Sequence, residues 1–547
     1  MAARIPDGWE GRVKGITLAV ADGISSSSSS QVAAETAVKS LVTDYYATPE
    51  VWSVKTAARR VMEATNSWLF AQSRRLRISD LNNGLVCTLS ALIIKGREAH
   101  VFHVGDSRVS CLRNANLEAL TRDHVTYHGE GQELLGRALG AREFLDIDYQ
   151  CVPFQAGDVF VLTTDGVHGH VDARTIHQAL QNASLDDAAK QIADAALAGG
   201  SEDNLTVQLL RIDAVDVAAA PLSISDLGTL PQKNLVPGDQ LDGFEVLREI
   251  HNTTRSQLAL ARDAAGNHVV LKVPGIEADD KPDYLQRFAY EEWIARRIRS
   301  PHVVAAAAHH GERSSCYVAL QYIEGRTLRQ WMTDNRRPDL DEVRAIAEQI
   351  SRGLRALHRR EMIHQDLRPE NIMLDGNGTA VIIDLGSVAV AGLEEAAPGL
   401  FGVMPGTYQY TAPEYLSGDI VSWRSDQYAL GVIVYEMLTG RLPYGAEVAR
   451  VRSRRDQQRL SYATAADGSG AVPDWVDFAL ARACHRDPMR RYDSLSEFIA
   501  DLRSPSSSFQ PLRMRPLLEQ NPLRFWKMLA LIQALAIVVL TVGLLAD

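Results

Sequence analysis

The sequence predicts a multidomain chain: an α+β block of layered β-sandwich type, a second block that opens with strands and turns helical, and one transmembrane helix. Three observations predict it. Over residues 1–212, strand-like apolar runs alternate with stretches whose apolar residues recur at three and four. A segment at 213–238, dominated by proline, serine, glycine and alanine, holds no period and reads as a linker before a second block at 239–503. Met528–Ala546 is a run of 19 residues without a charge, roughly 28 Å long as a helix and close to the thickness of a bilayer core.

Composition narrows the function classes. With 547 residues, the chain has room for three or four domains, at roughly 100–200 residues each. Hydrophobic residues make up 46% and charged residues 23%, which excludes a mostly disordered chain. The net charge of −11 argues against a nucleic-acid partner. Five scattered cysteines with no C-x-x-C disfavour a disulfide framework and a cysteine zinc site, and fit a reducing cytosol. No G-x-x-x-x-G-K-[ST] occurs, which excludes a P-loop NTPase.

In the first block the strand-like runs are Ile16–Ala21, Leu85–Ile94, His100–Val104, Val159–Thr163 and Leu205–Ile212; the helix-like stretches include Gln31–Tyr46 and Val54–Arg74. At the other end, residues 504–527 form a polar neck leading to the apolar run. Arg513, Arg515, Arg524 and Lys527 precede that run, with Phe525 and Trp526 at its mouth. Positive charge marks the cytoplasmic flank and aromatic residues suit the interface. The expectation is a single-pass C-terminal anchor in the cell inner membrane, with the domains before it cytoplasmic. A buried core helix is the bland alternative. The N-terminus has no apolar run behind its positive charges, so no signal peptide is expected.

Two apolar runs of the first block end in the same dipeptide, Asp22-Gly23 and Asp165-Gly166, and a third acid sits in Ser201-Glu202-Asp203-Asn204. Each Asp-Gly alone reads as a tight turn. Carboxylates at the ends of rigid strands also hold hard divalent cations, which want oxygen ligands. Between them come Gly105-Asp106-Ser107-Arg108 and Leu120-Thr121-Arg122-Asp123-His124. Taken in order, these five elements resemble the metal-dependent protein phosphatases of the 2C type. The resemblance implies a β-sandwich flanked by helices, with two Mn²⁺ or Mg²⁺ ions at one edge. Asp22 would bridge both ions and Gly23 lend a carbonyl. Asp165 and Asp203 would complete the first ion, and Asp106 would lie near a third, weaker one. Two ions lower the pKa of a bridging water that attacks phosphorus in line. The family's upstream Asn-acid-Asp element and its phosphate-gripping arginine are not visible; the acids before Asp22 are Asp7 and Glu10.

In the second block, Met362-Ile-His364-Gln365-Asp366-Leu-Arg368-Pro-Glu-Asn371 resembles the catalytic loop of protein kinases, and Asp384-Leu385-Gly386 their magnesium-binding element. Gly406-Thr407, Ala412-Pro413-Glu414 and Ser425-Asp426 follow in family order, with Val269-Val270-Leu271-Lys272 upstream. The resemblance covers about residues 242–503 and implies a bilobal protein kinase fold using ATP and Mg²⁺. Lys272 would neutralise phosphates and Glu291 hold it in place, with Glu292 the rival. Asn371 and Asp384 would carry magnesium. Asp366 would accept the substrate hydroxyl proton, and Arg368, in place of the family's lysine, would reach the γ-phosphate. The pattern from Asp366 to Asn371 favours serine/threonine over tyrosine substrates. Arg491 is expected to pair with Glu414.

Three departures carry expectations. His251, Thr253 and Ser256 stand where the family has glycines, so weaker ATP binding is expected. Gln365 replaces the arginine that pairs with an activation-loop phosphate. Ser387–Pro405 holds no Thr or Tyr and one serine, Ser387 itself. Together the last two predict activity without activation-loop phosphorylation. The reading is a membrane-anchored bifunctional enzyme of bacterial type that phosphorylates and dephosphorylates Ser/Thr of proteins. Its rivals are an active kinase with a regulatory, phosphatase-like binding domain, and a pseudokinase scaffold.

Overall fold

A computed structural model describes residues 1–24, 29–75, 84–128, 132–182, 184–215, 222, 228–231, 233–275, 282–308, 313–399, 408–466, 471–509, 525–530 and 532–533. In the first block, β1 (Ala2–Arg4), β2 (Ile16–Val20), β3 (Leu89–Lys95) and β4 (Glu98–Val104) are followed by β5 (Arg108–Arg113) and β6 (Asn116–Ala119). A hairpin of β7 (Val125–His128) and β8 (Gln132–Leu135) then precedes β9 (Asp148–Pro153), β10 (Val159–Thr163) and β11 (Val207–Arg211). One sheet has the order β1-β2-β3-β4-β9 and the other β11-β10-β5-β6. All pairs in both are antiparallel.

Period-2 patterning explains the layers. In β10, Phe160 and Leu162 face the first sheet, where they meet Leu18, Val20, Leu92 and Val101. Val159 and Val161 face the other way, onto Ile176, Ala188 and Ile192. The helices complete a four-layer α-β-β-α sandwich. Short α1 (Gly8–Lys14) precedes β2, and α2 (Ser30–Ala47) and α3 (Val54–Arg75) cover the first sheet through Ala37, Leu41, Ala58 and Met62. The one-turn α4 (Asp165–His168) leads into α5 (Ala173–Asn182) and α6 (Leu185–Ala198), which cover the second sheet.

The second block opens with a five-stranded antiparallel sheet: β12 (Gln240–Leu241), β13 (Phe244–Asn252), β14 (Ser256–Arg262), β15 (His268–Pro274) and β16 (Val318–Gln321), in that order. Helix α7 (Pro282–Arg297) packs beside it. Below lie α8 (Leu328–Asp334), α9 (Leu340–His358), α10 (Ala391–Ala396), α11 (Glu414–Ser417) and α12 (Trp423–Thr439). Ser422 and Ser425 form a capping box at the start of α12, and Gly440 ends it at φ 66°.

Where the sequence reads a linker, the chain is tied down in part. Thr229 O accepts from Cys316 N at 2.7 Å, and Leu235 exchanges two 2.8 Å bonds with the Gln257 amide. Leu235 belongs to the apolar core of the β12–β16 sheet. Low periodicity marked an irregular backbone there, not a free spacer.

The expected membrane span lies mostly outside the described residues. Phe525–Ala530 and residues 532–533 are helical, while 531 and 534–546 are not described. Among the described residues, no helix is long and apolar enough to cross a membrane.

Candidate active sites

Asp22, Asp106, Asp165 and Asp203 converge at one edge of the sandwich, each just beyond a strand or before one. Asp22 is fixed by its own backbone: its N–H donates to Thr88 Oγ1 (2.9 Å) and its carbonyl accepts from Thr88 N (2.7 Å). Thr88 is held in turn by Ser107 at 2.8 Å. The sequence reading missed this Thr88–Ser107 support; Ser107 lies within the Gly-Asp-Ser-Arg element. A Cβ on Gly23 would sit 2.7 Å from the Ser30 main chain, and one on Gly166 would sit 2.8 Å from Asn204 O. Both glycines are therefore required by close backbone approach.

The four acids face each other. Among the described residues no ion pair engages any of them; Arg108, nearby, is spent bidentately on Asp123 at 2.7 and 2.9 Å. Burial, and then the carboxylates of Asp165, Asp203 and Asp106, push Asp22 up to about 7. Burial and Asp165 push Asp106 up to about 6. Uncompensated carboxylates that repel one another suit hard divalent cations, which remove the repulsion and keep several waters of their own. Glu10 does not join the cluster. Glu10 pairs with Arg4 at 2.7 Å, and Arg4 stands opposite Thr17, at the far end of β2 from Asp22. A separate trio, Glu98, His100 and Cys151, has ligand-type atoms within 4.8 Å of one another. It is joined by a hydrogen bond from Cys151 Sγ to Glu98 Oε2.

The second cleft lies between the β12–β16 sheet and the helical lobe. Lys272 Nζ is 2.7 Å from Glu291 Oε2 and 3.3 Å from Asp384 Oδ1. Burial opposes the lysine's charge, but Asp384 and Glu291 overcome it and hold Lys272 above its usual range. Glu291 is the partner; the rival Glu292 is spent on Arg313 (2.7 Å) and Arg296 (2.6 Å). On the opposite wall, Asn371 Nδ2 donates to Asp366 O (2.9 Å) and Oδ2 (3.2 Å). Burial raises Asp366. Arg368 Nε lies 3.2 Å from Glu370 Oε2. Gln365 has φ 66°, and its N–H donates to Asp426 Oδ1 at 3.0 Å. Asp426 also accepts from His364 N and His358 Nε2, both at 2.8 Å, so it anchors the whole loop. The Ser425-Asp426 element was visible in the sequence; this role was not. Arg491 and Glu414 meet as expected, at 2.7 Å. Gly406-Thr407 lie outside the described residues.

The β13–β14 turn explains what the missing glycines do. Thr253 Oγ1 accepts from Arg255 N (3.3 Å) and Ser256 N (3.1 Å), and its own N–H donates to Ser256 O (3.0 Å). The N–H groups that would cradle phosphate are thus bonded within the turn. Two such donors to a charged phosphate are worth about 3–6 kcal/mol, against about 1.5–3 for ordering three glycines. The His251→Gly, Thr253→Gly, Ser256→Gly variant should therefore bind ATP about ten- to a hundredfold tighter by calorimetry; no gain refutes the account.

Comparisons with known proteins agree with this geometry. Residues 244–502 match the family described as "Protein kinase domain", and residues 7–205 match "Protein phosphatase 2C". The chain is 28% identical over 269 residues to the serine/threonine-protein kinase PrkC of Bacillus subtilis, covering 49% of this chain and 41% of that one. It is 30% identical over 280 residues to the serine/threonine-protein kinase PknA of Corynebacterium glutamicum, covering 46% and 58%. It thus spans less than two thirds of either relative. A solved structure titled "PppA, a key regulatory component of T6SS in Pseudomonas aeruginosa" aligns with TM-score 0.32 at 24% identity, over 36% of this chain and 85% of that one. The chain thus carries a region that matches protein phosphatase 2C, followed by a region that matches the protein kinase domain and is similar to bacterial serine/threonine kinases.

Proposed function

We propose that the chain is a bifunctional signalling enzyme: it phosphorylates serine or threonine of protein substrates with ATP, and hydrolyses phosphoserine or phosphothreonine with a metal-activated water. The observation that carries the kinase half is the Lys272–Glu291 ion pair, 2.7 Å long, with Asp384 beside it in one cleft. In this reading Lys272 receives the nucleotide's phosphates and Glu291 holds it in place beside Asp384. Asn371 and Asp384 hold Mg²⁺, whose charge the transferring phosphoryl group requires. Asp366 takes the proton of the attacking hydroxyl, and Arg368 steadies the γ-phosphate.

In the phosphatase half, Asp22, Asp165 and Asp203, with the Gly23 carbonyl, hold Mn²⁺ or Mg²⁺, and Asp106 borders a third position. Bound there, such ions would supply the positive charge that activates a water and polarises the phosphoryl oxygens. The protein's own part is placement: Thr88 and Ser107 lock Asp22, and the close-packed Gly23 and Gly166 let the acids approach. Met528–Ala546 is proposed as the anchor in the inner membrane, with both domains in the cytoplasm and no nucleic-acid partner.

The full chain tests the reading. It should label a Ser/Thr substrate from ATP and Mg²⁺, and release phosphate from a phosphopeptide with Mn²⁺. Asp165→Asn should lower phosphate release by roughly a hundredfold or more, as expected for losing several kcal/mol of metal assistance, and leave the kinase rate unchanged. Equal phosphate release by wild type and variant overturns the phosphatase assignment.

A further inference from the structure

The kinase half is built onto the phosphatase half through the two elements on which its alignment depends. Helix α7 carries Glu291, the partner of Lys272. On the same helix, Arg297 Nη2 meets Glu50 Oε2 of the first domain at 2.6 Å, and its guanidinium lies 3.8 Å over the Trp293 ring. Trp293 touches Trp9 with ring centroids 6.3 Å apart, and Trp9 Nε1 donates to Glu50 Oε1 at 2.9 Å. Glu50 thus ties the first domain to α7 from both sides.

The second element is α10, five residues beyond the Asp384-Leu385-Gly386 sequence. Its Glu395 accepts from Val54 N at 2.9 Å and from the buried Lys95 Nζ at 3.2 Å, both in the first domain. Glu361, just before the catalytic loop, accepts from Ser53 N (2.7 Å) and Thr56 Oγ1 (2.7 Å). It holds φ 55°, an uncommon backbone for a non-glycine residue. Helix α3 has no acid of its own in its first turn. Two carboxylates of the kinase domain therefore serve its exposed N–H groups and positive dipole end. The backbones also meet: Gly392 N donates to Val51 O at 3.1 Å, and a Cβ on Gly392 would lie 2.4 Å from Glu50 O. Val51 itself is 1% exposed and belongs to the kinase core. The strand that leads into α10, Ala389–Val390, pairs with Met362–Ile363 immediately before the catalytic loop.

We infer that the phosphatase domain is a built-in clamp on the kinase, holding α7 and the segment after Asp384 in the arrangement that keeps Glu291 on Lys272. Glu395, Glu361, Arg297 and Gly392 are its positioning residues, and Lys95, Glu50 and the start of α3 are the surface that receives them. This rests on the kinase reading above.

A charge swap in the full chain tests it. Glu395→Lys should lower kinase kcat about tenfold or more, and Glu395→Lys with Lys95→Glu should recover most of that loss. Gly392→Ala, which adds one methyl against the Glu50 and Trp52 carbonyls without touching the charges, should lower kcat likewise. Hydrogen exchange gives a readout independent of activity: in both single variants amides of α7, which neither residue touches, should exchange faster than in wild type. Unchanged kcat and unchanged α7 exchange in Glu395→Lys and Gly392→Ala overturn the clamp. If wild type transfers no phosphate, the kinase reading fails, and exchange alone decides the clamp: faster α7 exchange supports it, unchanged exchange overturns it.

Discussion

The Asp366→Asn chain is expected to transfer phosphate about 10²–10⁴-fold more slowly than wild type, the range for losing a positioned general base. The substitution is nearly isosteric. The new amide oxygen still accepts from Asn371 Nδ2, which now spans 3.2 Å to Asp366 Oδ2, and the backbone bond at 2.9 Å is untouched. Lys272, Glu291 and Asp384 do not contact the altered oxygen, so ATP affinity should stay within about twofold, and thermal stability should hold. That combination isolates proton acceptance from binding and folding. Initial rates with a Ser/Thr substrate, together with ATP affinity by calorimetry, decide it. A variant that keeps more than a tenth of the wild-type rate removes Asp366 from its assigned role.

Much of this architecture was legible before any coordinates. The run Val159–Thr163 is β10 residue for residue, and Val54–Arg74 is α3 to within one position, because period-2 and period-3.6 patterns follow burial directly. Asp22, Asp106 and Asp165 were legible because each sits near a strand end beside a glycine, and Asp203 because its Asp-Asn pair comes shortly before a strand. Spacing alone could not separate Glu291 from Glu292, since both are buried on α7; only the third dimension gives one to Lys272 and the other to Arg313. Nor could it show that Thr253 bonds back onto its own turn.

The docking surface was invisible for a different reason. Glu361, Glu395 and Lys95 are ordinary charged residues about 300 positions from their partners, and Glu50 is 247 from Arg297. Nothing periodic marks a contact that exists only once two finished domains meet. Gln365 and the Ser387–Pro405 segment pointed to activity without activation-loop phosphorylation, and not to this contact.

The largest effect on stability is expected at Arg491. Its guanidinium and the Glu414 carboxylate are both fully buried, joined by two 2.7 Å bonds. Arg491 also donates to His485 O (2.7 Å) and Arg424 O (2.9 Å), and Ser425 Oγ donates to Glu414 Oε1 (2.7 Å). Arg491→Ala strands a carboxylate in the core with one neutral donor left, at a cost of about 3–5 kcal/mol. For a domain of this size that is roughly 10 °C or more in midpoint. Arg491→Lys should lose part of it, since an ammonium cannot serve both carboxylate oxygens and two carbonyls in one plane. Replacing both partners, as in Arg491→Met with Glu414→Leu, should be milder than Arg491→Ala alone, because no buried charge is left unpaired. The two domains need not melt together, so unfolding should be followed with an ATP analogue that marks the kinase transition. If Arg491→Ala and the double variant shift that transition equally, the penalty lies in lost packing volume and not in the stranded charge.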